Sequence, residues 1–260
     1  MTITPLLAPS AVIICALMLA LWLVSLALKD SSIVDIAWGP LFVVVALFGF
    51  LVGDGWQGRK ILVLGMVGLW GLRLGWHIYR RNRGRGEDPR YARWRREAGE
   101  SWWWRSLFKV FLLQGAVLWV VSLPVQQVMG VAGPERFVVW DALGELLWGV
   151  GFLFEAIGDA QLRAFREDPE RSGVLETGLW AYTRHPNYFG EAVLWWGIWT
   201  VALAVPWGWA TVFSPVLITL LVRYVSGVPM TEALLEGREG WTRYADRTNV
   251  FVPGPRRLSR

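Results

Sequence analysis

The sequence predicts an all-α integral membrane protein, a single domain built as a bundle of seven spanning helices. Three observations carry that prediction. Apolar residues make up 54% of the 260, and the mean hydropathy is +0.37, values of membrane chains and not of soluble domains. Nineteen tryptophans suit a chain with many membrane–water boundaries, where indoles collect. The basic residues cluster in three segments that fall on one side of a seven-span chain.

A span needs about 20 mostly apolar residues. The segments 8–28, 32–52, 61–80, 107–127, 137–160, 187–205 and 208–227 meet that length. The first 28 residues hold no Lys or Arg, so Ala11–Leu28 is expected to be a retained span and not a cleaved leader. Lys29-Asp30-Ser31-Ser32 supplies N-cap residues for the second helix, and Gly53-Asp54-Gly55 closes it. Gly133-Pro134, Pro206-Trp207-Gly208 and Gly227-Val228-Pro229 mark later boundaries. Gly65, Gly68, Gly71 and Gly75 along the third helix predict close helix–helix packing.

Charge then orients the bundle. Arg80, Arg81, Arg83, Arg85, Arg90, Arg93, Arg95, Arg96, Arg105 and Lys109 occupy one connection. Arg163, Arg166, Arg171 and Arg184 follow the fifth helix, and the tail carries basic residues from Arg238 to Arg260. The opposite connections offer Arg59, Lys60 and Arg136. The positive-inside rule places the rich side in the cytoplasm, the N-terminus outside and the C-terminus inside. Residues 88–104, where charges alternate with Tyr91, Trp94 and Trp102-Trp103-Trp104, read as an amphipathic cytoplasmic segment attracted to anionic lipid. One cysteine (Cys15) and two histidines (His77, His185) exclude a disulfide framework and argue against a metal centre. No nucleic-acid partner is expected.

The polar residues at membrane depth are the candidates for chemistry, because an intramembrane ionisable group is costly unless paired or placed in a wet cavity. The densest stretch is Tyr182-Thr183-Arg184-His185-Pro186-Asn187-Tyr188-Phe189-Gly190-Glu191. Pro186 suits the first turn of a helix on which Asn187, Glu191 and Trp195 share a face. On the fifth helix Glu155, Asp159, Arg163 and Arg166 form one stripe from membrane depth to the mouth. Arg73, His77 and the loop Asn82-Arg83-Gly84-Arg85 add guanidiniums that match phosphate oxygens. Arg223 lies on the seventh helix, and Asp35 and Trp38 share a face near the start of the second. Collected, these predict a pocket open to the cytoplasm with an Arg-rich rim and an apolar floor. A ligand with phosphates, ribose hydroxyls and a flat ring suits it. There is no G-x-G-x-x-G after a strand and no Walker loop, so the helices themselves would hold a nucleotide.

Tyr182 to Glu191, with Asp35-Ile36-Ala37-Trp38-Gly39 upstream, resembles the bacterial membrane proteins of the steroid 5α-reductase superfamily, the DUF1295-type branch. Asn82-Arg83-Gly84-Arg85 is similar to the Asn-Arg-Gly-Arg loop of that superfamily, and Asp159, Leu162, Arg163 and Arg166 to its Asp-x-x-Leu-Arg-x-x-Arg. The resemblance implies NADPH bound in the cytoplasmic half by Asn82, Arg83, Arg85, Asp159, Arg163, Arg166, Tyr182, Asn187, Glu191 and Arg223. Arg184, His185, Tyr188 and Trp195 of the same stretch join that set. The reaction implied is reduction of a conjugated enone in a steroid-like or other lipid that enters from the bilayer. Asp35, with Trp38, is the candidate acid at the ketone. The superfamily's Tyr on the third helix is replaced by Trp70-Gly71, and Tyr79 lies too near the helix end to substitute. Its His-x-x-x-Tyr stretch is replaced by Ser226-Gly227-Val228-Pro229. The implied location is a bacterial inner membrane.

A second resemblance competes. Arg184-His185-Pro186-Asn187-Tyr188, with Glu232, Leu235, Tyr244 and Pro253, is similar to the isoprenylcysteine carboxyl methyltransferases, which implies S-adenosylmethionine and a lipid-borne carboxylate. That cofactor has no phosphates, which leaves Arg83, Arg85, Arg163 and Arg166 without a purpose. A non-enzymatic lipid-binding or transport protein is a third class, whose mark would be a polar path through the outer half.

Overall fold

A computed structural model describes residues 4–168 and 170–257; Arg260 of the basic tail lies outside them. Every regular element among the described residues is helical. In chain order the α-helices are α1 (Leu7–Leu28), α2 (Ile33–Val52), α3 (Gln57–Asn82), α4 (Pro89–Ala98), α5 (Trp102–Ser106), α6 (Leu113–Val121), α7 (Leu123–Gly130), α8 (Val139–Glu167), α9 (Pro186–Ala202), α10 (Phe213–Leu220), α11 (Val228–Leu235) and α12 (Trp241–Arg247). Five helical runs are long and apolar enough to cross a membrane: Leu7–Leu28, Ile33–Val52, Gln57–Asn82, Pro89–Val121 and Gly208–Leu235. The chain is an all-helical membrane protein. α8 carries Asp141, Glu145, Glu155 and Asp159 along its length, and α9 has 17 residues; neither is in that group.

Several expected boundaries move. The amphipathic segment 88–104 and the span 107–127 are one helical run from Pro89 to Val121, with a 3-10 turn at Gly99–Ser101 and a π turn at Leu107–Leu112. Pro124 then starts α7 as a separate short helix, because proline has no N–H to continue the ladder. α8 extends to Glu167, so Arg163 and Arg166 are helical residues.

The packing divides into two compact units, one comprising residues up to Asp141 with Val201–Ser214, the other Ala142–Thr200 with Pro215 onward. In the first, α2 and α3 meet backbone to backbone. A Cβ on Gly71 would lie 2.5 Å from the Gly39 carbonyl oxygen, and one on Gly75 would lie 2.8 Å from Pro40 Cγ. Gly65 and Gly68, expected to pack as well, face open space, where a Cβ would meet nothing within 4 Å. Helix α7 closes over the turn after α2, where Gly55 N donates to Met129 O at 2.9 Å.

Polar groups within this unit are matched. Arg59 forms a two-pronged pair with Asp141 (Nε–Oδ1 2.7 Å, Nη2–Oδ2 2.9 Å) and donates to the carbonyls of Pro134 and Arg136. Their side chains are 1% and 3% exposed, so this is a buried pair whose disruption is expected to cost about 3–5 kcal/mol. Lys60 Nζ donates to Gly53 O at 2.7 Å. Two of the three basic residues assigned to the less basic side are therefore internal structural groups. Ser10, Ser122, Gln126 and Gln127 form a satisfied buried network, with Ser10 Oγ to Gln126 Oε1 at 2.7 Å and Gln127 Nε2 to Pro206 O at 2.7 Å. These amides bond to serine hydroxyls and to the backbone.

In the second unit α8 and α9 cross on glycines. A Cβ on Gly190 would lie 2.5 Å from both Glu155 N and Gly151 O, and one on Gly197 2.5 Å from Trp148 N. Small residues at such a crossing let the backbones approach. Replacing Gly71 by Val is expected to lower stability by about 1–3 kcal/mol through overpacking. Gly65→Val, on an open face, should stay within about 0.5 kcal/mol. Thermal unfolding in one detergent compares them, and equal losses would refute the assignment of contact faces.

Candidate functional site

In the second unit the α8 stripe has the depth order its sequence implies. Glu155 and Asp159 are buried, at 3% and 6% exposure, while Arg163 and Arg166 are exposed. Pro186 starts α9 beside them, with Asn187 N and Pro186 Cγ close to Gly158. Asn187 Nδ2 donates to Asp159 Oδ1 at 3.1 Å. The Asn187 Oδ1 is buried and has no hydrogen-bond partner.

One turn earlier, Arg184 and His185 converge on Glu232 of α11. Arg184 Nε lies 2.8 Å and His185 Nε2 3.1 Å from the same Oε1. The His185 ring is 1% exposed and stacks on Tyr188 at 5.5 Å, and the Tyr188 hydroxyl bonds Thr231 at 2.9 Å. With Nε2 facing a carboxylate, the second ring nitrogen, Nδ1, is a buried acceptor without a partner. Burial holds His185 below its ordinary histidine value; Arg184 and Arg223 push the same way and Glu232 opposes them.

The C-terminal segment holds this stretch in place. Arg184 N donates to Asn249 O at 2.9 Å, Thr183 Oγ1 to Phe251 O at 2.8 Å and Gly254 N to Tyr182 O at 3.1 Å. Tyr244 of α12 donates to Trp180 O at 2.8 Å, and Arg184 Nη1 donates to Ala245 O while its guanidinium lies 5.6 Å from the Trp241 ring. Burial raises the Tyr244 phenol above its ordinary range. Tyr182 is exposed, Glu191 half-buried and Trp195 fully buried. Arg223 is half-buried, 4.7 Å from the Tyr224 ring. Tyr182 thus lies at the surface, while the Arg223 charge acts on His185.

Asn82, Arg83 and Arg85 belong to the first unit. Arg85 N donates to Asn82 O at 3.0 Å, closing a turn that Gly84 (φ 77°) and Gly86 (φ 73°) make possible. Arg83 and Arg85 are exposed, and Asn82 Nδ2 is buried without a partner. Arg73 and His77 are half-buried.

The same unit contains a cluster that residue order alone dispersed. Asp35, in the first turn of α2, is held on one oxygen by Arg90 Nη2 at 2.8 Å and on the other by the Tyr91 hydroxyl at 2.7 Å. Gln114 Nε2 donates to that hydroxyl at 3.1 Å, and Arg90 Nε donates to Asp88 Oδ1 at 2.9 Å. Glu87 accepts from Arg95 at 2.8 Å and from Ser31 N at 2.7 Å, and Trp102 Nε1 reaches Ser31 Oγ at 3.3 Å. Burial works against the Glu87 and Asp88 charges, yet the donors of Arg95 and Ser31, and of Arg90, hold both carboxyls below their ordinary values. Trp38 is half-buried beside Phe42, which meets Trp70 edge-on; the ring centroids are 5.3 and 5.4 Å apart.

The amphipathic reading of 88–104 therefore holds only for part of the segment. Arg93, Trp103 and Trp104 are exposed, whereas Tyr91 and Trp102 are 3% exposed and Arg90 and Arg95 turn inward. The missed signal was Asp88-Pro89-Arg90, an N-cap with proline in the first turn, whose side chain does accept from Arg90 N. It starts a helix whose Tyr91 and Arg95 are four apart and share a face. Tyr79 is 40% exposed against Trp76. Tyr91, not a residue of α3, is the tyrosine beside Asp35.

The fold and these clusters define an all-helical membrane protein with polar sites built between its helices. A family profile described as "Protein of unknown function (DUF1295)" matches residues 21–248, and the chain belongs to that family. An uncharacterized protein of Schizosaccharomyces pombe is 30% identical over 204 residues, which are 67% of this chain and 58% of the relative. The chain thus spans less than two thirds of that relative's length. No solved structure gives a significant match.

His185 sets a pH dependence. Its folded state binds a proton less readily than the unfolded chain, so its contribution is complete above the ordinary histidine value and falls as pH drops toward the folded value. Melting temperature should therefore decline from about pH 7.5 to about pH 5.5. His185→Phe keeps a ring against Tyr188 and should flatten that decline; an unchanged slope in the variant would assign it to other groups.

Proposed function

We propose that the protein is an NADPH-dependent membrane reductase of a conjugated enone in a lipid, with seven spans and a cytoplasmic cofactor site. The observation that carries this reading is the Asn187–Asp159 pair, with its unpartnered buried amide oxygen, next to exposed Arg163 on the same helix as Asp159. The chemistry of the donor set fits a dinucleotide. Asn187 Oδ1 and His185 Nδ1 accept from amide or hydroxyl donors, and Arg163 and Arg166 of the same unit match phosphates. Bound NADPH supplies the hydride.

For the acid, the geometry favours Tyr91 over Asp35. Asp35 accepts from the Arg90 guanidinium at 2.8 Å and from the Tyr91 hydroxyl at 2.7 Å, so the phenol is the group of the pair with a proton directed outward from itself. Asp35 therefore orients the donor, and Trp38 and Trp70 contribute apolar wall. A bacterial inner membrane, an active site facing the cytoplasm and a steroid-like substrate belong to the same proposal.

One observation favours a second reading. Arg184, His185 and Glu232 converge, as expected of an S-adenosylmethionine-dependent methyltransferase of the isoprenylcysteine type. The two readings separate by ligand-induced stabilisation in detergent. A ligand at ~100 times its Kd adds about 2.7 kcal/mol. NADPH is expected to raise the melting temperature more than NADH, and Arg163→Ala and Arg166→Ala to erase that preference. Stabilisation by S-adenosylmethionine alone would replace the reductase reading with the methyltransferase one.

A further inference from the structure

On the flank of the first unit an apolar groove runs between α1 and α6. Ala11, Cys15 and Met18 line one side, and Leu112, Ala116 and Trp119 the other. Cys15 and Ala116 are exposed, so the groove opens outward from the bundle. Its volume is about 260 Å³. Sites for whole small molecules begin near ~300 Å³, so this one suits a section of a single hydrocarbon chain.

Both walls lead to the same boundary. Trp22 follows Met18 by four residues, on the same face of α1, and its Nε1 donates to Trp103 O at 2.8 Å. Phe108 and Trp104 precede Leu112 by four and eight residues and are 60% and 43% exposed. Two cations stand beside them. The Arg105 guanidinium lies 5.5 Å from the centre of the Trp104 ring, and Lys109 Nζ lies 4.3 Å from that of Trp94. Among the described residues neither cation is paired with a carboxylate. Exposed indoles next to basic side chains at the end of an apolar run mark a membrane–water boundary.

Length connects the two features. From Phe108 to Trp119 the helical run rises about 16 Å at ~1.5 Å per residue. Half of a hydrocarbon core about 30 Å thick is about 15 Å. A lipid chain that starts at this boundary therefore ends where the groove ends. The geometry points to a binding site for one anionic phospholipid. Its phosphate lies between Arg105 and Lys109, and one acyl chain passes Phe108 into the groove between α1 and α6. The phosphate takes paired donors from the guanidinium and the point charge of the ammonium together. A choline lipid carries a cation of its own to the same place and loses part of that attraction. The site is independent of the reductase reading.

The test gives the full-length protein in detergent equal amounts of phosphatidylglycerol and phosphatidylcholine with identical chains. Native mass spectrometry then counts the lipids retained. One phosphatidylglycerol per protein is expected to be held, in about tenfold preference to phosphatidylcholine, from two basic side chains at the surface. Arg105→Ala combined with Lys109→Ala should remove the preference. Ala116→Leu enlarges an exposed groove position and leaves the packed face alone. It should lower retention of both lipids about tenfold, the size of effect that an added methylene group or two has in an apolar site. Equal retention of the two lipids by the wild type would overturn the phosphate clamp without any variant needing to fold. Undiminished retention by Ala116→Leu would reduce the site to surface attraction. Displacement of the retained lipid by a 3-oxo-Δ4-steroid would assign the groove to the substrate. Either of these results overturns the proposal.

Discussion

A carboxylate in the first turn of an apolar helix is the constraint from which much of the first unit follows. Asp35 belongs to a run whose remaining side chains suit hydrocarbon, and an ionised group there needs partners. They arrive from the first turn of α4. Arg90 and Tyr91 take the two oxygens of Asp35, Ser31 and Glu87 tie the turn before α2 to the α3–α4 connection, and Trp102 covers Ser31. The positive-φ glycines 84 and 86 let the chain turn from α3 into this position. A segment that looks like surface charge is thus bound to the helix it neutralises.

The second unit solves the same problem by giving one acid two nitrogen partners. Glu232 faces both Arg184 and His185, and the C-terminal segment fixes the backbone of Thr183 and Arg184 from the other side. The Gly190–Gly151 crossing brings α9 onto α8 closely enough for Asn187 to reach Asp159. Backbone approach and polar pairing are coupled there: a side chain at Gly190 would push away the helix that carries the amide.

Much of the fold and part of the site were legible from residue order. Composition and run length identify a helical membrane chain, and the 3.6-residue period put Glu155, Asp159, Arg163 and Arg166 on one stripe, deep acids first. Pro186 marked the start of α9 correctly. The four glycines of α3 show where such reading stops, since the spacing identifies small residues but not which of them faces a partner; Gly71 and Gly75 do, and Gly65 and Gly68 do not. Likewise Arg59 and Lys60 count as loop charges in a sequence, while in the structure they are buried and consumed by Asp141 and Gly53 O.

The sequence by itself determined the class of molecule, the helix-forming runs and the local stripes, because these depend on hydropathy and on periodicities within one segment. Tertiary structure alone decided which polar residues meet. Asp35 and Tyr91 are 56 residues apart, and His185 and Glu232 are 47. No periodicity spans such separations. Alternating charge and aromatic residues describe a helix with two unlike faces, yet only packing decides whether the charged face meets water, lipid or a buried carboxylate.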